Sequence, residues 1–260
     1  MTILEKIIAC KKKELTKNAA LISVRELEKR KLFNREVISL SESLLDKTKT
    51  GIIAEFKRKS PSKGIINSGA SVAEVTSGYF REGASGVSVL TDNEFFAGSS
   101  DDLISARGNS FIPILRKDFI INEYQVIESK AIGADAILLI AAALGKTEIL
   151  NLARLARSLG LEVLLEIHDP KELEMTNQYI NIIGVNNRNL KTFKVNTDTS
   201  EKLADKIPAG FIKISESGIT SPEIIKKLRI AGFNGFLIGE KFMFTPDPVK
   251  AFSEFVKLII

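Results

Sequence analysis

The chain has one cysteine, Cys10, and one histidine, His168, among its 260 residues. A lone cysteine excludes an internal disulfide, and with a single imidazole the usual soft ligand sets for zinc or iron cannot be assembled. A Ser-His-Asp triad would have to be built on His168 alone. Acid and base work therefore falls to lysine and glutamate, with no metal and no cofactor expected. Long apolar runs are also missing. The longest, Ala136 to Leu144, is nine residues, too short to span a bilayer as a helix. The first twenty residues hold only short apolar patches such as Ile7-Ile8-Ala9-Cys10 before Lys11-Lys12-Lys13, unlike a signal peptide. A cytoplasmic protein with no membrane partner is expected.

What is present suits a globular enzyme. Hydrophobic residues make up 44% and charged residues 27%, enough for one large domain with a full core. The net charge of +5 is unevenly placed. Residues 1–50 carry 12 Lys and Arg against 7 acids, whereas residues 51–260 carry 25 of each. A basic segment can mark nucleic-acid contact, but these charges alternate with Leu and Ile at helical spacing and lack interleaved aromatics. They read as solvated faces of amphipathic helices, so no nucleic-acid partner is expected.

From Gly51 onward, short β-rich runs recur: Ile52 to Phe56, Val87 to Leu90, Ile112 to Leu115, Ala136 to Ile140, Val163 to Ile167, Ile182 to Val185, Phe211 to Ile214 and Phe236 to Ile238. Their spacing leaves room for one helix between each pair, the βαβ rhythm of a parallel sheet. Nearly continuous apolar character fits strands buried on both faces. Helix starts lie between them: Ser71-Val72-Ala73-Glu74 has capping-box form, and Asp169-Pro170 and Ser221-Pro222 place a cap residue before a first-turn proline. Gly83, Gly133 and Gly232 each end a helix and turn the chain back to the sheet. The expected fold is α/β, a (β/α)8 TIM barrel over residues 51–260, with an open doubly wound sheet as the alternative. Residues 1–50 lie outside the rhythm. Thr2 to Glu5, Ser23 to Glu26 and Ser39 to Glu42 have capping-box spacing, so two or three helices form an N-terminal helical extension. The extension packs on the barrel, and residues 1–260 form a single domain in this reading.

Barrels of this type place their chemistry at the C-terminal strand ends, where polar residues interrupt the apolar runs. Strand one ends Glu55-Phe56-Lys57, strand three Arg116-Lys117-Asp118-Phe119, strand five Glu166-Ile167-His168, strand six Asn186-Asn187-Arg188, strand seven Ser215-Glu216-Ser217-Gly218 and strand eight Gly239-Glu240. Glu55 and Lys57 are two apart and share one face. Two glutamates and two lysines converging on one mouth suggest proton transfers on an anionic organic substrate. Ser217-Gly218 and Gly239-Glu240, on adjacent final strands, have the form of a phosphate cradle in which glycine lets backbone N–H groups approach the oxygens.

The string IAEFKRKSPSKG (Ile53 to Gly64) resembles the end of the first strand in indole-3-glycerol phosphate synthases. PILRKDFI (Pro113 to Ile120), GADAILLI (Gly133 to Ile140), LLEIHD (Leu164 to Asp169), IGVNNRNL (Ile183 to Leu190), ISESGI (Ile214 to Ile219) and FLIGE (Phe236 to Glu240) resemble that family's blocks in the same order. The likeness covers about residues 50–245. It implies closure, decarboxylation and dehydration of 1-(2-carboxyphenylamino)-1-deoxyribulose 5-phosphate in tryptophan biosynthesis. It also implies a catalytic group of Glu55, Lys57, Lys117, Glu166, Asn186 and Ser217. Ser60, Phe96, Phe119, Leu138, Arg188 and Leu190 would line the anthranilate and sugar site, and Ser217, Gly218, Gly239 and Glu240 the phosphate site. Glu240 departs from relatives that have serine there. A carboxylate repels phosphate, and its backbone N–H can donate there if the side chain turns outward. His168 is expected to serve the start of the following helix without catalytic duty.

The expected partner is thus a phosphorylated small molecule, and a monomer is expected, with a homodimer as the alternative. A sister barrel, phosphoribosylanthranilate isomerase, uses a Cys and Asp pair. The only cysteine here, Cys10, lies ahead of the barrel, which argues against that activity. A non-catalytic nucleic-acid-binding protein would leave the Lys and Glu at several strand ends without purpose.

Overall fold

A computed structural model describes residues 2–259. The eight apolar runs form eight strands: β1 (Ile52–Phe56), β2 (Gly86–Leu90), β3 (Ile114–Lys117), β4 (Ala136–Ile140), β5 (Glu162–Ile167), β6 (Ile182–Asn186), β7 (Ile212–Glu216) and β8 (Gly235–Ile238). Every neighbouring pair is parallel, each strand lies beside its sequence neighbours, and β8 pairs back with β1 to close the barrel. The fold is a (β/α)8 TIM barrel. Closure leaves no edge strand, and burial on both faces accounts for the continuous apolar runs.

Alternation along each strand sorts the side chains into two cores. Outward residues such as Val87, Val89, Val163 and Leu165 pack under the surrounding helices. Inward residues such as Ile53, Leu115, Leu138, Leu164, Ile214 and Leu237 fill the barrel interior. At the next inward position of β1, β3, β5 and β7, the row turns from apolar to charged at Glu55, Lys117, Glu166 and Glu216.

The helices of the N-terminal extension are α1 (Ile3–Leu21), α2 (Val24–Glu28) and α3 (Leu40–Leu45). Thr2 with Glu5 and Ser23 with Glu26 form complete capping boxes. Ser39 accepts the Glu42 N–H, but its hydroxyl donates to Glu162 at 2.7 Å, so its cap ties the extension to the start of β5. The extension touches both ends of the barrel. Leu40 and Leu44 of α3 join the interior cluster and plug its N-terminal end. The plug fits because β2 and β8 begin with glycine: a Cβ at Gly86 or Gly235 would lie 2.7 Å from Leu40 Cδ1 or Leu44 Cδ2. Just above the plug, Asp135 accepts Arg35 at 2.6 Å, the Ile38 N–H at 2.8 Å and Arg107. Helix α1 spans roughly 28 Å at 1.5 Å per residue, enough to run along the barrel flank to its mouth. Its far end is held by Tyr124, whose hydroxyl donates to the Ile22 carbonyl at 3.0 Å.

Two local expectations are modified. The segment from Asp169 forms a complete capping box but only a 3-10 turn, Pro170–Met175. The connection between β5 and β6, residues 168–181, is too short for a longer helix and its return. Ser71 accepts the Glu74 N–H, and the glutamate makes no return bond to complete the box. The glycines at 83, 133 and 232 all have positive φ, as a helix end turning back to a strand requires.

Candidate active site

All charged ends of the inward rows open into one cavity of about 520 Å³ at the C-terminal end of the barrel. That volume suits a small organic ligand. The polar wall brings together Glu55, Lys57, Lys117, Glu166, Asn186 and Ser217. Ser60, Phe96, Phe119, Leu138, Arg188 and Leu190 line it as well, and Gly218, Gly239 and Glu240 close the side next to β7 and β8. Every site residue named from the sequence therefore faces the same space.

Lys117 stands at the centre of the charge pattern. Its ammonium donates to Glu166 at 3.0 Å and to Glu216 at 2.9 Å. Two of its three donors are thereby used, leaving one for a ligand oxygen. Burial alone would lower its pKa, but the Glu166, Glu216 and Glu55 carboxylates outweigh that and hold it above the ordinary lysine value. Burial likewise pushes Glu166 up, yet Lys117, His168 and a hydrogen bond with Asn186 prevail and hold it below its ordinary value. Glu216 has the opposite fate. Burial dominates, the Glu166 charge adds to it, and its carboxyl is pushed up to about 7 despite Lys117. Two carboxylates around one ammonium thus divide into one ionised group and one that holds a proton near neutrality.

Glu216 enters the sequence reading only as part of the strand-seven end, without a role of its own. Its inward direction is legible in the spacing Ile212, Ile214, Glu216. Room for it is made across the strand pair by Gly184, where a Cβ would fall on the Glu216 Oε1. Asn187 is a second silent contributor. Its side-chain amide donates to the Ser217 carbonyl at 3.0 Å and to Ser215 at 2.9 Å, holding the turn after β7. Ser217 and Gly218 in that turn have φ of 69° and 76°, both positive. Ser217 is a non-glycine residue at positive φ, which carries a strain cost that the Asn187 bonds help to hold.

On the β1 side, Lys57 donates to Glu55 at 2.6 Å, and its ammonium lies 3.9 Å from Glu240. The Glu240 side chain stays at the site. Its carboxylate crosses the cavity rim to Arg188, 2.8 Å away, because guanidinium and ammonium both attract it there. Gly239 precedes it without a side-chain cap, leaving the first N–H groups of the short helix Glu240–Met243 without a side-chain partner. His168 donates its backbone N–H to Glu172 at 2.6 Å, in keeping with a place at the start of the 3-10 turn. Its ring also lies near the site, with Nε2 3.5 Å from Glu166. Cys10 lies on α1 and is not part of the cavity wall. The sequence named no residue of α1, yet Ile3, Leu4 and Ile7 form part of the wall.

Comparison with known proteins agrees with this geometry. Among solved structures, a mutant tryptophan synthase alpha-subunit from Pyrococcus furiosus and the alpha subunit from Legionella pneumophila superpose with a TM-score of 0.60 at 13% and 14% identity. They cover 81% and 85% of this chain, and 98% and 97% of their own, and establish likeness of fold. Sequence relatives are far nearer. The indole-3-glycerol phosphate synthase of Bacteroides thetaiotaomicron is 48% identical over 258 residues, covering 99% of this chain and 98% of its own. That of Bordetella pertussis is 42% identical over 95% of each chain. The family model described as indole-3-glycerol phosphate synthase matches residues 4–255, which spans both the barrel and most of α1. With an extended match of this kind over a barrel whose charged mouth has this layout, the chain belongs to the indole-3-glycerol phosphate synthase family.

Proposed function

We propose that this cavity binds 1-(2-carboxyphenylamino)-1-deoxyribulose 5-phosphate and converts it to indole-3-glycerol phosphate, carbon dioxide and water, with Lys117 as the first general acid. The observation that carries the reading is the Lys117 ammonium, held protonated between Glu166 and Glu216 with one donor to spare. The aryl carbon bearing the carboxylate attacks the sugar's keto carbon, and Lys117 gives the ketone oxygen its proton as the new bond forms. The ring closure leaves a delocalised cation. Electrons of the bond to the carboxylate then neutralise it as carbon dioxide departs, so no cofactor is needed as an electron sink.

The second half is loss of water. Lys57, oriented by Glu55, protonates the departing hydroxyl, and Glu166, held ionised, removes the ring proton to complete the indole. Asn186 steadies Glu166, and Ser217 with Gly218, Gly239 and the Glu240 backbone receives the phosphate. Phe96 and Phe119, with ring centroids 6.2 Å apart, flank the space proposed for the aryl group beside Leu138, while Ser60, Arg188 and Leu190 border the sugar and its anions. Among the described residues no helix is long and apolar enough to cross a membrane, and a cytoplasmic setting is proposed on the biosynthetic role. The test is to incubate the pure protein with this substrate, with and without EDTA, and follow indole fluorescence. Equal product formation in both supports the reading; no product, or loss with EDTA that a divalent metal restores, overturns it.

A further inference from the structure

Lys11, in the middle of α1, is a charged side chain to which the reaction gives no task, yet it is only 1% exposed. Its ammonium lies 2.8 Å from Glu14, 2.9 Å from Asp92 and 3.0 Å from Asp118. Three acceptors match its three donors. Two of them come from the barrel and are themselves buried. Burial would favour the neutral amine, but the Asp118 and Asp92 charges outweigh it and keep the ammonium charged.

Both aspartates hold pieces of the cavity. Asp92 follows β2 and accepts the Phe95 N–H at 2.8 Å, capping the short helix Asn93–Phe96 that ends in the wall residue Phe96. Asp118 directly follows Lys117 and accepts the Phe119 N–H at 2.8 Å, the Thr91 hydroxyl at 2.6 Å and Arg116 at 3.2 Å. One ammonium therefore ties three wall segments together: α1 with Ile3, Leu4 and Ile7, the helix carrying Phe96, and the strand end carrying Phe119. These segments meet at the aromatic side of the cavity. The glycine-rich side, after β7 and β8, makes none of these contacts.

We propose that Lys11 is a positioning residue that docks α1 against Phe96 and Phe119 and thereby sets affinity for the carboxyphenyl end of the substrate, leaving phosphate binding and proton transfer to other residues. This rests on the assignment of the aryl group to the Phe96 and Phe119 side. A residue that merely stabilised the fold would, once lost, weaken all ligands alike or none.

The experiment compares wild type with Lys11→Met and with the double variant Lys11→Met, Asp92→Asn. The second keeps a capping side chain at position 92 while removing the buried carboxylate that would lose its cation. Calorimetry measures binding of 2-aminobenzoate and of inorganic phosphate separately, and fluorescence measures kcat and KM. The expected result in both variants is about a tenfold or greater loss of 2-aminobenzoate affinity, a matching rise in KM, and phosphate affinity and kcat within about twofold of wild type. Equal weakening of both ligands, a fall in kcat at unchanged KM, or recovery of 2-aminobenzoate affinity in the double variant would overturn the proposal. If the wild type binds 2-aminobenzoate but forms no indole product, the proposed reaction fails, while the binding comparison still decides the role of Lys11. Failure of the wild type to bind 2-aminobenzoate overturns the proposal as well.

Discussion

The two ends of this barrel use the same ingredients in inverse proportion. At the plugged end, one carboxylate, Asp135, faces two guanidiniums, Arg35 and Arg107, and both of its oxygens also accept backbone N–H groups from Ile38 and Ile114. Glu162 nearby has both oxygens bonded to Ser39 and Ser41. At the mouth, one ammonium, Lys117, faces two carboxylates, and the Glu216 Oε1 has no partner among the described residues. Burial pushes Arg107 down to about 10, with Asp135 opposing, so it stays charged at neutral pH. Burial pushes Glu216 up to about 7, into the range where a proton can come and go. At the plugged end both carboxylate oxygens of Asp135 are bonded and hold the N-terminal extension in place, although Arg35 Nε has no partner among the described residues; at the mouth it is a carboxylate oxygen that stays open, poised for chemistry.

Substitutions at the two ends should therefore separate activity from stability. The largest effect is expected for Lys117→Met, which should lower kcat by about 10² to 10⁴ while changing KM much less, because a proton donated only in the transition state adds little to ground-state binding. Near wild-type kcat in Lys117→Met together with a collapse in Lys57→Met would move the first proton transfer to the end of β1. At the other end, Asp135→Ala leaves two buried guanidiniums without their counter-charge. It should cost about 3–5 kcal/mol, roughly 6–20 °C in Tm, with kcat close to wild type in the protein that remains folded. A stable Asp135→Ala variant with impaired kcat would break the contrast.

The plug gives a smaller effect of the same sign. Leu40 is fully buried among the interior residues, and Leu40→Ala should cost about 2–5 kcal/mol in chemical denaturation, according to how far the strand starts can close on the cavity. A substrate KM that moved with it would show that the two ends are coupled through the interior stack.

How much of this is legible in the sequence depends on whether the information is local. The eight strands can be read because parallel strands buried on both faces leave unbroken apolar runs, and the site residues because period-two alternation carries an apolar row into a charged one at each strand end. Glu216 receives no role beside Ser217, although its spacing from Ile214 points it inward. The wall formed by Ile3, Leu4 and Ile7 and the pin at Lys11 have no local sign. Lys11 reads as one of three consecutive surface lysines, and only contacts made 81 and 107 residues away, at Asp92 and Asp118, single it out. The direction of the Glu240 side chain is not local either, since its partner Arg188 lies in another strand-end loop.

The smallest expected effect tests the mouth's excess of carboxylate directly. Glu216 has an ordinary value near 4.5 when unfolded and about 7 when folded, so between those pH values the folded protein binds the additional proton. Stability then falls as pH rises from about 4.5 to 7, because the unfolded state binds fewer protons over that window. Glu216→Gln cannot ionise and should lack this loss. Its Tm relative to wild type should climb with pH through the window and level off above about 7, a gain on the order of 1–3 kcal/mol, set against a constant cost for the altered bond to Lys117. Glu166, whose folded value is lowered, contributes stability that is lost as pH falls below the ordinary carboxylate range, so both proteins should keep the same acid limb. A Tm difference that stays flat from pH 4.5 to 8 would mean that Glu216 is ionised throughout and that its carboxylate is as well compensated as that of Asp135.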